Sequence, residues 1–388
     1  MAAQTKTKRK KKVQSEYFFD YSLLFIVLFL VGFGLVMIYS ASSYEAMEQW
    51  NDAAFWLKKQ LLGVGLGLVA MVVIAIIDYH FWAKFALLGY FFSMALIPVV
   101  LTPIGVESHG ARRWIEIPLV GVNLQPAEVA KLCMILFLAV IVCKMGKGVR
   151  SMKGFIFMVM LPMPIVLEIY LITSNLSSAI IVLGIAVLMV FVATPDYKKF
   201  VVMALIAIAL VAAVIYLVVS GSDLLGFRGG RIESWLNPES DAQGTGFQTL
   251  QGLYAIGSGG VWGKGLGQSM QKLNFLPESQ NDMIFSIICE ELGLFGGIAI
   301  ILMFIILLWR MMIIASNASD LFGAMLVVGV MGHIAIQAIL NIAVVTATIP
   351  NTGISLPFIS YGGTSVVFLL AEIGLVLSVA KHIELKEI

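Results

Sequence analysis

Asp282 stands where a glycine-rich stretch, Gly257 to Gly267, passes through Leu276-Pro277-Glu278 into a long apolar run that carries Glu290 and Glu291. An ionisable group at the edge of a hydrocarbon layer is costly unless it is partnered or used, so this junction is where chemistry is expected. The residue type leaves two roles open. An aspartate at a helix start can cap it and favour the positive end of its dipole, or it can serve a reaction at the membrane surface. With a helix running on from Asp282, Glu290 falls about 80° around the axis and about 12 Å deeper, and Glu291 points elsewhere. Two adjacent carboxylates within an apolar segment need polar partners or protons, which marks either a cavity or a packed hydrogen-bond network.

A second polar group lies upstream. Gly110-Ala111-Arg112-Arg113-Trp114 precedes Gln125-Pro126-Ala127-Glu128-Val129-Ala130-Lys131, in which Pro126 suits the first turn of a helix. Glu128 and Lys131 share one helix face, either as an ion pair that neutralises two charges near the membrane boundary or as the lining of a polar cavity. Arg112 and Arg113 carry planar, permanent charges that suit phosphate oxygens, and lipid headgroups attract them as well. The glycine run is no nucleotide-binding loop, because Gly265 follows Gly263-Lys264 where serine or threonine is required, and no βαβ context supports a dinucleotide fold. Glycine at this density lets backbone approach a ligand closely.

These residues must be positioned by helices that cross a membrane. The 388 residues are 60% hydrophobic and 12% charged with a mean hydropathy of +0.96, a composition that excludes a soluble globular protein. Runs long enough to cross about 30 Å of hydrocarbon recur over 20–40, 60–77, 83–103, 126–143, 154–172, 176–193, 200–219, 283–308, 321–343 and 365–380. The fold expected is all-α, a bundle of ten transmembrane helices (20–380) between a basic tail (1–19) and a short C-terminal tail (381–388). With the N-terminus inside, the cytoplasmic side gathers Lys6, Lys8, Arg9, Lys10, Lys11, Lys12, Lys84, Lys144, Lys147, Arg150, Lys153, Lys198, Lys199, Arg310, Lys381 and Lys386. The outside holds fewer basic residues, so both termini are expected in the cytoplasm. The basic tail abuts the first span and is expected to meet anionic lipid, not nucleic acid. That span is too long for a cleavable signal and is expected to stay as an anchor. The substantial loops, 41–59, 104–125 and 220–282 with a shorter one at 344–364, all fall outside, so the working face is external.

Cys133, Cys143 and Cys289 read as packing residues, and His80, His109, His333 and His382 lack metal-ligand spacing. His333 is expected to pack or to make a helix-to-helix hydrogen bond, and His109 could contact a ligand.

Six ordered motifs carry a resemblance that spans nearly the whole bundle. They are Arg112-Arg113-Trp114, Gln125-Pro126-x-Glu128-x-x-Lys131, Gly257-Ser258-Gly259-Gly260, Leu276-Pro277-Glu278 with Asp282, Glu290-Glu291-x-Gly293, and Leu356-Pro357-Phe358-Ile359-Ser360-Tyr361-Gly362-Gly363. In these the chain resembles the SEDS family of shape, elongation, division and sporulation proteins. Gly34 to Ser42 is similar to the division-type branch more than to the elongation type.

The resemblance implies a ten-span peptidoglycan glycosyltransferase that polymerises lipid II outside the cytoplasmic membrane, at the division septum. Asp282 matches the family's catalytic aspartate, acting as general base on the acceptor 4-hydroxyl while undecaprenyl pyrophosphate leaves. It also implies a divalent cation, Mg2+ or Mn2+, with Asp282 one candidate ligand. Arg112, Arg113, Glu128 and Lys131 are placed along a central cavity with Glu290, and Lys272 and Arg231 are further phosphate contacts. Ser360 and Tyr361 lie near the outer end of the last helix in a structural or cavity role. The implied partners are lipid II, the growing glycan strand, a class B penicillin-binding transpeptidase and other membrane proteins of the division machinery. One departure stands out: Thr173-Ser174-Asn175-Leu176-Ser177-Ser178-Ala179 lacks the Pro, Asp and Gly of the family's pattern. The rival readings are a lipid II flippase, which should spread polar groups through the full membrane depth, and a non-catalytic division scaffold.

Overall fold

The computed structural model describes residues 20–108, 110–117, 122–194, 196–220, 227–241 and 246–383. The tail 1–19, His109 and residues 384–388 lie outside the described residues. Every expected span falls on helix: α1 (Tyr21–Trp50), α2 (Phe55–Ile76), α3 (Tyr79–Ala83) with α4 (Ala86–Leu96), α5 (Pro126–Met145), α6 (Met152–Met160) with α7 (Met163–Ile172), α8 (Leu176–Ala193), α9 (Tyr197–Val219), and, beyond the long outer segment, α12 (Ile284–Ser316), α13 (Leu321–Val345) and α14 (Ser365–Lys381). Eight of these stretches are long and apolar enough to cross a membrane, and Ala86–Leu101 is a shorter apolar one.

The middle of the bundle is built from α5, α8, α13 and α14, with α2 laid along α14. Small residues set that last approach. A Cβ added at Gly63 would come 2.6 Å from the Gly363 carbonyl oxygen, and one at Gly374 would come 2.6 Å from that of Met71. Backbones meet this closely where small residues let dispersion replace the absent hydrophobic drive of an aqueous core. By contrast α9 buries none of its apolar window within the protein and faces lipid.

Several expectations are corrected. The outer loop 41–59 is mostly helix, because nothing in Ala41–Trp50 breaks α1 until Asn51 takes a left-handed conformation (φ 52), and α2 starts at Phe55. The fifth span is two helices, parted at Leu161-Pro162 where proline removes a donor. The loop 104–125 carries a small antiparallel sheet, β1 (Gly105–Ser108), β2 (Ala111–Ile117) and β3 (Val122–Leu124), in the order β1-β2-β3. The long outer segment contains α10 (Phe227–Leu236) and α11 (Phe247–Gly259), so Gly257 to Gly259 end a helix instead of opening a loop.

The glycine run approaches its own chain. Lys264 and Gly265 donate their backbone N–H groups to the carbonyls of Glu290 and Glu291, at 3.0 and 2.9 Å. Leu294 and Phe295 donate to Gly260 and Val261 at 2.9 and 3.2 Å. This ladder is possible because α12 breaks at Gly293 (φ 68, ψ −169), a region only glycine visits at little cost. A side chain there would also run into the backbone of Val261 and Gly263. Gly293→Ala is expected to lower stability by at least about 1–3 kcal/mol, read as a lower melting temperature of the purified protein in detergent. An unchanged melt would show that the ladder does not constrain this position.

Candidate functional site at the outer face

Asp282 lies in the turns that lead into α12, two residues short of the helix, and is 8% exposed. It does not cap the helix, whose N-cap Met283 has no side-chain bond. Its backbone is held from the membrane side, where Asn341 of α13 donates Nδ2 to the Asp282 carbonyl at 2.7 Å and to that of Ile354 at 2.6 Å. Its carboxylate is met from the outer side by Gln248 of α11, whose Nε2 donates to Oδ1 at 3.4 Å. Gln248 is itself aimed by Asn351, which donates to its Oε1 at 2.7 Å. A Cβ added at Gly353 would lie 3.7 Å from the other carboxylate oxygen, so a side chain there would rest against that side of Asp282.

Burial, and then the neighbouring Glu278 carboxylate, push the Asp282 carboxyl up to about 7, with the Arg231 charge pulling against them. A group that titrates there can shuttle a proton near neutral pH. Arg231 donates to the Asn351 carbonyl at 3.5 Å, and Arg113 donates to the carbonyls of Thr173 and Ser174 at 3.3 Å each. Burial, and then the field of Arg231, lower the proton affinity of Arg113, so two guanidinium groups stand within each other's field, and Arg231 also acts on the acid. Like charges held together this way are favoured only when an anion joins them. Ser174 (φ 49), Glu278 (φ 56), Ala347 (φ 54) and Phe358 (φ 64) all hold left-handed backbone around this region, the kind of local strain that a surrounding structure must enforce.

The remaining acids do not join Asp282. Glu290 is fully buried and bonded to Lys264 at 2.6 Å, to the Ser269 hydroxyl and to the Met270 N–H at 3.1 Å. Glu291 is fully buried against Lys272 at 3.0 Å and the Ser40 hydroxyl of α1 at 2.7 Å. Lys272 is thereby committed to an internal pair, and Glu290 staples the glycine run instead of facing a cavity beside Asp282. The helical-wheel relation between Asp282 and Glu290 does not apply, since α12 starts at Ile284. Ser360 accepts from the Leu356 N–H at 2.7 Å and closes the turn before α14. Arg112 is exposed beside Glu107 at 3.5 Å.

Deeper in the bundle Glu128 and Lys131 pair at 2.7 Å and are almost wholly buried. The Lys131 ammonium also reaches Oε1 of Gln337 at 3.4 Å. From Gln337 the contacts run inward to His333 at 2.9 Å and from there to Glu372 of α14 at 2.8 Å.

A sequence model of the FtsW, RodA and SpoVE family, described as Cell cycle protein, matches residues 21–385. The chain belongs to this SEDS family. It is 41% identical over 368 residues to Stage V sporulation protein E of Bacillus subtilis, covering 94% of this chain and 97% of that protein. It is 39% identical to the probable peptidoglycan glycosyltransferase FtsW of Trichlorobacter lovleyi, over 95% of this chain and 94% of the other. Among solved structures, a chain from a peptidoglycan synthase complex that coordinates polymerization and crosslinking superposes with a TM-score of 0.74 at 27% identity, covering 93% of this chain and 97% of that one. Rod shape determining protein RodA of Thermus thermophilus superposes with a TM-score of 0.68 at 26% identity, covering 95% and 98%.

In this SEDS protein, sequence reading passed over Gln248, Asn341, Asn351, Gln337 and Glu372. Two of these had a visible signal: Gln337 and Asn341 follow His333 at every fourth residue along α13, one polar stripe on an otherwise apolar helix. Gln248 and Asn351 sit in irregular outer segments where no periodicity marks them.

A carboxyl whose folded value lies above its ordinary 3.8 holds its proton more tightly when folded, so Asp282 contributes stability that is lost as pH rises from about 4 to about 7. Asp282→Asn removes that dependence. The variant is expected to melt with the wild type at about pH 4 and above it at about pH 8, by at most about 4 kcal/mol in stability. Melting curves that keep a constant offset across that range would contradict a buried acid with this titration.

Proposed function

We propose that this chain polymerises lipid II on the outer face of the cytoplasmic membrane, with Asp282 as the general base. The observation that carries the reading is one buried carboxyl beside Gly353, pushed up to about 7 and lying in the field of Arg231, which in turn stands in that of Arg113. Ionised, Asp282 takes the proton of the acceptor 4-hydroxyl as that oxygen attacks the anomeric carbon of the donor. The bond to undecaprenyl pyrophosphate breaks and the α-linked donor is inverted to a β-1,4 linkage. Pyrophosphate is a good leaving group, so one base with cationic stabilisation of the departing charge suffices, unlike the carboxylate pair of most glycoside hydrolases. Arg231 and Arg113 are the groups suited to that departing charge.

Among the described residues no group of three His, Cys, Asp or Glu side chains could hold a metal. One or two carboxylates completed by substrate phosphates is the ordinary manner of Mg2+, and Glu278 beside Asp282 fits that pattern. Glu278 would hold Mg2+ or Mn2+ there, and the ion would neutralise charge on the pyrophosphate.

The likeness to FtsW and to the sporulation protein supports a role in septal wall synthesis, and the lysine and arginine distribution supports both termini in the cytoplasm. The likeness to a synthase complex that polymerises and crosslinks supports a class B penicillin-binding transpeptidase as partner. A flippase would need an accessible polar path through the bundle. Polar groups do reach its middle at His333 and Glu372, but both are fully buried and closed on each other.

The test is glycan formation from purified lipid II with Mn2+, using the complex with a transpeptidase whose own active site is disabled. Asp282→Ala is expected to lose about 10²–10⁴-fold in rate while remaining folded. Wild-type kcat/KM is expected to rise about tenfold per pH unit up to about pH 7 and then level, since the base works ionised. Equal product from Asp282→Ala would remove this residue from the mechanism.

A further inference from the structure

Gln337 fixes a proton count. A lysine ammonium has only donors, so the Gln337 atom facing Lys131 at 3.4 Å is its oxygen. Its nitrogen independently faces the Ser355 carbonyl at 3.1 Å and the Ser355 hydroxyl at 3.3 Å. The oxygen that meets Nε2 of His333 at 2.9 Å can only accept, so Nε2 carries hydrogen. The other ring nitrogen, Nδ1, lies 2.8 Å from Oε2 of Glu372. A neutral imidazole with its hydrogen on Nε2 presents a lone pair at Nδ1, which would oppose an ionised carboxylate. One proton must therefore sit between Nδ1 and Oε2.

The second oxygen says where that proton resides. Oε1 of Glu372 is buried with no hydrogen-bond partner among the described residues. In an ionised carboxylate that orphan oxygen would carry half a charge inside a membrane bundle, whereas in a carboxylic acid it is a carbonyl oxygen and far cheaper to leave alone. The alternative, an imidazolium facing a carboxylate, would separate two charges inside the bundle with that oxygen bare, and Lys131 does not offset it because Glu128 matches it at 2.7 Å.

We propose that Glu372 is a neutral carboxylic acid donating to His333, and that this one-proton pair acts as a positioning device for Asp282. The stripe on α13 transmits it. His333 is pinned by Glu372, Gln337 one turn outward holds Ser355, and Asn341 one turn further clamps Ile354 and the Asp282 backbone together. Ser355 and Ile354 belong to the segment whose Gly353 faces the Asp282 carboxylate. The pair thus sets the height of that segment against the acid from the middle of the membrane. The positioning part rests on the reading of Asp282 as the base; the protonation of Glu372 does not.

Three measurements on the full chain with its transpeptidase test this. Glu372→Gln keeps a donor toward Nδ1 and a carbonyl in place of Oε1, so polymerisation within about threefold of wild type is expected, whereas Gln337→Leu is expected to lower kcat by about tenfold to a hundredfold with KM for lipid II nearly unchanged. Infrared spectra are expected to show a carboxylic-acid band that is absent from Glu372→Gln. A folded Glu372→Gln without activity would overturn the proposal, since it would mean that the carboxyl exchanges its proton or needs its charge. A missing band would overturn the neutral acid whatever Asp282 does, and a Gln337→Leu variant with wild-type kcat would overturn the positioning role. If Asp282→Ala stays active while the infrared band is as expected, the reading of the base fails and the neutral acid stands.

Discussion

A charged group inside a membrane bundle has to find its partner within the protein, and the outer half of this molecule is arranged around that requirement. Glu290 and Glu291, adjacent and fully buried, pair with Lys264 and Lys272 and share Ser269 between them. In doing so they draw the outer segment down onto α12 and tie it to Ser40 on α1. The backbone ladder across Gly293 then satisfies amides that the break in the helix would otherwise leave bare. Asp282 is the exception among these acids. It receives one long side-chain bond and no ion pair among the described contacts, and the cost appears as a carboxyl that holds its proton up to about 7. The paired acids build the frame, and the one without an ion pair is the acid proposed to react.

Much of the fold was legible because its signals are long. Apolar runs of about twenty residues admit few alternatives in a chain of this composition. Arg113 and Arg231 could be named as cationic candidates, and Asp282 as the acid, from residue type and place in the chain. The errors come from contacts between segments far apart in sequence. Glycine density shows that backbone will come close to something, but Gly260 to Gly265 meet α12 and not a ligand. Lys272 looks like a free cation until Glu291 is seen beneath it. The sheet in 104–125 and the helices α10 and α11 are short, and short elements are decided by what they rest on.

The polar interior differs from the outer site in kind. Glu128 with Lys131 is an ion pair, and Glu372 with His333 is a shared hydrogen bond, yet both are joined through one amide on α13. That stripe makes α13 a rigid ruler running from mid-bundle to the acid, so packing at the centre and geometry at the surface are one mechanical problem.

The length of α1 has a consequence of another sort. Thirty residues of helix extend about 45 Å, well beyond the hydrocarbon thickness, so its last turns stand clear of the membrane as a post. Glu48 on that post accepts from Asn274, and the Ala41 carbonyl accepts from Ser279, which fastens the segment leading to Asp282. The elevation of the acid is therefore fixed by protein, whereas on the proposed reading the sugars of a lipid-linked substrate would ride at an elevation fixed by the bilayer. Membrane thickness becomes a coordinate of the encounter, and a thicker or thinner leaflet changes which hydroxyl arrives level with the acid.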